Sequence, residues 1–319
     1  MLSKILFILL FVGTLFAQEP RFTDFYNNKD AAVSITFDDA SLGQYKYAFP
    51  ILKKYNLFAT FGVVGDWLCD TSKSFSEDGY TFYKRMSKSN ILALWARGNE
   101  IAWHGMKHKP YSSKLDWNRL NKQMTKELNF VNSYFSPADI TTIFYPYSKT
   151  QGKVQLATKS SGFLFGRSGT EKYNDISDLD YYVLNSFATY NDSLPNTKGF
   201  NKIINDAKGK WCILMYHHII PDTAAIRKEY KRHNIKDNYA VTPEVFDNQM
   251  HIISQKNYWV ATLKEIGMYM MQKEHSEIII DDTFITIECD LDATIYNHEM
   301  TVLYNGKVYN LKPFIKNKL

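Results

Sequence analysis

From Ala32 to Ala261, short apolar runs alternate with longer amphipathic stretches, and this alternation limits the fold more than any other feature. Ala32–Phe37, Phe58–Val64, Glu100–Trp103, Thr141–Tyr145, Phe163–Phe165, Tyr181–Leu184, Trp211–Tyr216 and Tyr258–Ala261 have strand length and strand composition. Leu42–Lys54, Asn90–Ala96, Trp117–Tyr134 and Glu244–Ser254 read as helices. In the clearest of them Leu120, Met124, Leu128 and Val131 fall on one face. Thr242-Pro243 supplies a capped start for the last, and Gly98, Gly162 and Gly209 stand where helices should end. Strand and helix in repeated alternation imply parallel strands under covering helices, in an open sheet or a closed barrel. The barrel draws support from the polar residues that follow the strands, because such side chains converge on one mouth. Asp38 and Asp39 follow the first strand, His104 the third, Pro146 and Tyr147 the fourth, and His217 the seventh.

After about Glu277 the pattern changes to short strands without helices: Ile278–Ile280, Thr283–Glu288, Thr301–Tyr304 and Lys307–Leu311. Asn305-Gly306 is a hairpin turn between the last two. The chain therefore divides into a leader (1–17), an α/β domain (18–276) and a small all-β appendage (277–319). So small a unit needs the main domain to dock on. The leader is inferred from the basic start Met1–Lys4 and the apolar run Ile5–Ala17. That run is too short for a comfortable membrane span but typical of a secretory signal, with cleavage after Ala17. No later segment is apolar and long enough to cross a membrane; the secretory leader sets the expected location as extracellular or periplasmic. The formal charge of +5 is spread along the chain, which gives no nucleic-acid signature. Cys69, Cys212 and Cys289 form no CxxC pair, and an odd count cannot pair completely. Nothing in the sequence sets an oligomeric state.

Two adjacent carboxylates end the first strand, in Ile35-Thr36-Phe37-Asp38-Asp39. Alone they suit a turn or a helix cap. Trp103-His104-Gly105-Met106-Lys107-His108 changes that balance. Gly105 and Pro110 place the two histidines on a loop, where both can meet one ion. Two imidazoles and one carboxylate suit zinc and leave a position for water.

Thr36-Phe37-Asp38-Asp39, the His104–His108 pair, Tyr145-Pro146-Tyr147 and Leu214-Met215-Tyr216-His217, in this order, resemble the polysaccharide deacetylases of the NodB-homology type, carbohydrate esterase family 4. The resemblance covers about Ala32 to Leu263. It implies a distorted (β/α) barrel of seven or eight units, a divalent metal with zinc first among the choices, and hydrolysis of N- or O-acetyl groups on a polysaccharide. It assigns Asp38 as catalytic base, Asp39, His104 and His108 as metal ligands, and His217 as general acid. By the same resemblance, the backbone N–H of Tyr147 is expected to help hold the oxyanion, and Met215 to line the pocket for the acetyl methyl. Trp67, Trp103 and Tyr147 are candidates to stack on sugar rings, although a tryptophan beside a strand is more often core.

Two positions depart from the family. Phe144 stands where an arginine usually orients the base, and Gly105 replaces a Ser or Thr after the first histidine. Arg167 is the candidate to supply the missing charge, and its removal is expected to cost far more activity than fold. Two alternatives remain open at the level of sequence. One is a hydrolase of a different amide on the same scaffold. The other is a catalytically weak carbohydrate-binding protein, which the missing motif arginine favours.

Overall fold

The computed structural model describes residues 19–68, 84–112, 114–136, 139–189, 197–232, 239–281 and 283–318. The expected leader and Cys69 lie outside the described residues. The central sheet contains β1 (Ala32–Phe37), β2 (Ala59–Val63), β3 (Glu100–Trp103), β4 (Thr142–Phe144), β5 (Phe165–Arg167), β6 (Phe187–Ala188), β7 (Trp211–Tyr216) and β8 (Trp259–Val260). Their order is β5-β4-β3-β2-β1-β7-β6, all pairings are parallel, and β8 lies against the start of β1. The sheet curls until its edges meet. Leu184 bridges Arg167 of β5, and four residues later Ala188 of β6 pairs with Met215 of β7. This is the distorted barrel that the sequence implied.

Around it lie α1 (Phe49–Lys54), α2 (Lys88–Trp95), α3 (Trp117–Phe135), α4 (Lys153–Ser161), α5 (Thr197–Asn205), α6 (Ala224–Arg232), α7 (Pro243–Ser254) and α8 (Leu263–Glu274). The apolar stripe of α3 is buried as its spacing predicts, and the Asp116 carboxylate caps it by accepting from the Arg119 N–H. Thr242 caps α7 in the same way, with Pro243 in its first turn. Gly162 ends α4 at φ +103°, a conformation that needs a glycine.

Alternation along the strands sorts side chains between two faces. Val33, Ile35, Phe37, Ile143, Cys212, Leu214 and Tyr216 join one apolar cluster with residues of the covering helices. Ala32, Ala102, Phe144, Phe165, Trp211 and Ile213 belong to a second cluster, inside the curl, which Leu263 and Ile266 of α8 close from below. The interior also carries Ser34, Thr36, Thr60, Glu100 and Thr142, all buried. Thr60 and Thr142 donate to Glu100, as does the Lys264 N–H at the start of α8. Glu100 thus ties β2, β3 and β4 to the plugging helix.

Two strand expectations shift. The fifth strand is Phe165–Arg167 rather than Phe163–Phe165, so Arg167 lies within the sheet. Tyr181–Leu184 is not a strand; its backbone bonds to β5 and leads into Phe187–Ala188 instead. The C-terminal region is all-β, with Ser276–Asp281, Phe284–Cys289 and Asn317–Lys318 in one antiparallel sheet. Met300–Tyr304 and Lys307–Leu311 form a hairpin through Asn305 and Gly306, both at positive φ. Arg21–Phe22, a pairing the sequence did not reveal, adds antiparallel to Met300–Tyr304. Ile285, Ile287, Met300 and Val302 then pack into the same cluster as α8.

Burial raises the Glu100 carboxyl above its ordinary range despite three hydrogen bonds. A raised acid contributes most stability below its unfolded value of about 4.3 and loses it as pH rises through the folded value. Glu100→Gln should therefore gain stability relative to the parent as pH rises from about 4 to 8. Urea midpoints across that range test this; a pH-independent difference would refute it.

Candidate metal and catalytic site

At the open end of the barrel, strand parity delivers the expected residues to one place. Asp38 continues the inward series Ala32, Ser34, Thr36 of β1, and His104 continues Glu100, Ala102 of β3. Met215 and His217 continue Trp211 and Ile213 of β7. The Asp38 N–H donates to the Tyr216 carbonyl at 2.8 Å, and the His104 N–H donates to the Val63 carbonyl at 2.8 Å. Gln44 Nε2 donates to the carbonyls of both Asp38 (2.5 Å) and His217 (2.6 Å), tying the first loop to the last.

Asp39, His104 and His108 form the group suited to a metal, with ligand atoms within 4.8 Å of one another. Asp39 Oδ1 lies 3.4 Å from His108 Nε2 and 3.6 Å from His104 Nε2. These are poor hydrogen-bond distances, but close to the edge of about 3.3 Å of a tetrahedron with bonds of about 2.0–2.1 Å. Asp39 Oδ1 is buried, with no hydrogen-bond partner among the described residues. His104 Nδ1 donates to the Phe144 carbonyl at 2.8 Å, which fixes the ring and leaves Nε2 facing Asp39 with its lone pair. Burial pushes His104 down to about 4, so the ring is neutral at pH 7 and its approach to the carboxylates is not an ion pair. The donor set and the orphaned oxygen together fit a divalent cation.

Arg167 is fully buried, and its Nη2 reaches both Asp38 oxygens at 2.7 Å. Its guanidinium lies 4.0 Å over the Phe144 ring. Burial alone would raise the Asp38 carboxyl, but Arg167, with smaller help from His104 and His217, holds it below the usual carboxylate range. Burial likewise would raise Asp39, and His108 and Arg85 outweigh it. Phe144 and Arg167 are register partners on β4 and β5, so the arginine stands one strand over at the depth where the family's motif carries one.

His217 Nε2 lies 3.9 Å from Asp38 Oδ2, and its ring packs 4.5 Å from Tyr239. His218, one residue on, is buried in a short strand paired with Ala240–Val241. Tyr147 is half exposed, with its ring 4.8 Å from His108 and its backbone at φ +56°. Met215 is buried and touches Arg167. Trp103 is corrected: it is fully buried on the helix-facing side, its indole donating to Glu127, and offers no face to a sugar. Trp67 is mostly buried and packs on His108 at 5.1 Å.

Arg85 was not legible in the sequence. It donates to the Asp39 carbonyl at 2.9 Å and lies 3.9 Å over the Trp67 ring. A lone arginine after Tyr83-Lys84 carries no pattern that would single it out. Gln44 left a fainter signal, as a polar residue within an amphipathic stretch.

Residues 26–166 match the family model for polysaccharide deacetylase. Over 162 residues the chain is 26% identical to the poly-β-1,6-N-acetyl-D-glucosamine N-deacetylase of Staphylococcus aureus, covering 48% of this chain and 52% of that one. The chain thus spans about half the length of the curated relatives it matches. Among solved structures, a Mycobacterium smegmatis protein provisionally assigned as a polysaccharide deacetylase superposes with a TM-score of 0.54 at 13% identity. That match covers 80% of this chain and 94% of the other, and it shows the shared fold. The peptidoglycan deacetylase PdaC of Bacillus subtilis aligns with a TM-score of 0.41 at 15% identity, over 74% of this chain and 90% of its own.

Burial of Arg167 revises the expectation that its loss would spare the fold. Arg167→Ala strands the Asp38 charge and should cost about 3–5 kcal/mol of stability. Adding Asp38→Asn should recover much of that loss. Chemical denaturation of the single and double variants tests the coupling; additive losses would contradict it.

Proposed function

We propose that this chain, whose residues 26–166 match the polysaccharide deacetylase family model, is an exported metal-dependent hydrolase of acetyl groups on a polymeric sugar. One observation carries the reading. A buried, unpartnered Asp39 oxygen faces two histidine nitrogens, beside a second carboxylate that Arg167 keeps ionised.

Asp39, His104 and His108 would hold the ion, with zinc first by the softness of two imidazoles. Once bound, the ion supplies Lewis-acid polarisation of the acetyl carbonyl and a more acidic water. The chain's own residues do the rest. Asp38, kept anionic by Arg167, takes the proton of the attacking water as general base. The Tyr147 N–H donates to the developing oxyanion, where preorganised donors contribute most to rate. His217, across from Asp38, delivers a proton to the departing amine or alkoxide. Met215 is suited to receive the acetyl methyl beside Arg167, and the exposed Tyr147 ring can stack on a sugar face.

The Staphylococcus aureus relative acts on an N-acetylglucosamine polymer, so such a polymer is the first substrate to test. The charged start and short apolar run at Met1–Ala17 support export to where such polymers are found.

Acetate release from a panel of N- and O-acetylated glycans, with chelator and zinc add-back, tests the proposal. Chelator should abolish release and zinc restore it. Asp38→Asn and His217→Ala should each lower kcat by about 10²–10⁴. Release that persists in chelator, or survives Asp38→Asn, would overturn it.

A further inference from the structure

The buried face of α3 carries one carboxylate, Glu127, only 5% exposed among Leu120, Met124, Leu128 and Val131. A carboxylate in such a stripe is costly unless its oxygens are well hydrogen-bonded. Glu127 Oε2 accepts from the Trp103 indole N–H at 2.9 Å and from the Tyr111 hydroxyl at 2.5 Å. Its Oε1 accepts from Gln123 Nε2 at 2.9 Å, one turn back on the same helix.

The two loop donors are placed to matter. Trp103 immediately precedes His104, and Tyr111 follows His108 by three residues. One carboxylate oxygen therefore ties both ends of the loop whose two histidines face Asp39. The middle of that loop hangs from the β2 side, where the N–H groups of Gly65 and Asp66 donate to the carbonyls of Gly105 (3.1 Å) and Met106 (2.8 Å). The loop needs such holding, since Gly105 and His108 sit at φ +80° and +51°. A side chain at position 105 could not brace it from within. A Cβ there would meet Pro146 Cγ at 3.1 Å in a backbone conformation that disfavours side chains.

We propose that Glu127 is a positioning residue that sets the spacing of His104 and His108, and through it the metal affinity of the site. Glu127 braces the loop from α3, where no side chain at position 105 can brace it from within. The inference rests on the reading of His104 and His108 as metal ligands.

Zinc calorimetry on the folded full chain tests it, comparing the parent with Glu127→Gln and Leu128→Ala. Glu127→Gln keeps the volume and one acceptor oxygen but removes the charge that strengthens both loop bonds, and should weaken zinc binding about 10-fold. Tyr111→Phe should weaken it in the same direction by less. Leu128→Ala, the next residue on α3 with no bond to the loop, should lower Tm while zinc affinity stays at the parent value. Equal affinity in parent and Glu127→Gln would overturn the brace alone, as would a loss in Leu128→Ala as large as in Glu127→Gln. A parent chain that binds no zinc would overturn the metal reading and the brace with it.

Discussion

The buried pair of Arg167 and Asp38 is the constraint around which the open end of the barrel is arranged. A carboxylate in an enclosed, partly apolar mouth would ordinarily take up a proton and lose its capacity as a base. A fully buried guanidinium touching both oxygens reverses that, and it can do so only because it is itself sequestered from water. The arginine is held in turn by the Phe144 ring beneath it and by Ser186 beside it. Its position depends on barrel closure, since Ser186 lies in the segment that joins the two sheet edges and donates to the Ser168 carbonyl. Closing the barrel and holding the charge on Asp38 therefore depend on the same contacts.

Parallel register explains how the charge can come from an unexpected strand. Residues paired across parallel strands sit at the same depth and face the same side. An arginine at position 144 and one at position 167 are therefore neighbouring solutions to one electrostatic problem. The vacated position holds a phenylalanine, whose ring face suits a cation. The missing motif arginine no longer favours a catalytically weak protein, because Arg167 places a guanidinium on Asp38. The loops above the strands show a different economy. Asp39, Ala40, Gly105, His108, Tyr147 and Ser148 all have positive φ and all border the site. Such conformations persist only where surrounding contacts over-determine them, and here those contacts are backbone bonds between loops and the Gln44 clasp.

Much of this could be read from the sequence because the signals were local. An apolar run ending in two aspartates fixes both a strand and its functional end. The stripe on α3 fixes a helix and its buried face. Where the reading failed, the determining contacts were distant. Arg167 belongs to the fifth strand because of its partner carboxylate on β1, far off in the chain, so the sequence sets that strand two residues early. Tyr181–Leu184 has strand composition, yet the closure falls to Phe187–Ala188 because that pair meets β7 in register. Trp103 looked able to meet a sugar, but it follows Ala102 on β3, and the alternation that turns His104 inward turns it outward. Arg85 and Arg21–Phe22 act across long stretches of chain and leave no periodic trace.

The interior of the barrel shows why one scaffold can be both stable and reactive. Its lower half is closed by Leu263 and Ile266 and by the Glu100 network, in which both carboxylate oxygens have donors. Its upper half leaves selected groups unsatisfied, chiefly Asp39 Oδ1 and His217 Nδ1. Unsatisfied buried polar atoms are costly, and folding stability offers no reason to keep them. Their concentration within reach of Asp38, at the end of the barrel where the strand-end loops converge, is what a site built to receive a cation and a substrate requires. The same alternation of side chains that packs the base of the barrel therefore delivers the reactive groups to its mouth. The difference between the two ends lies in which donors are supplied and which are withheld.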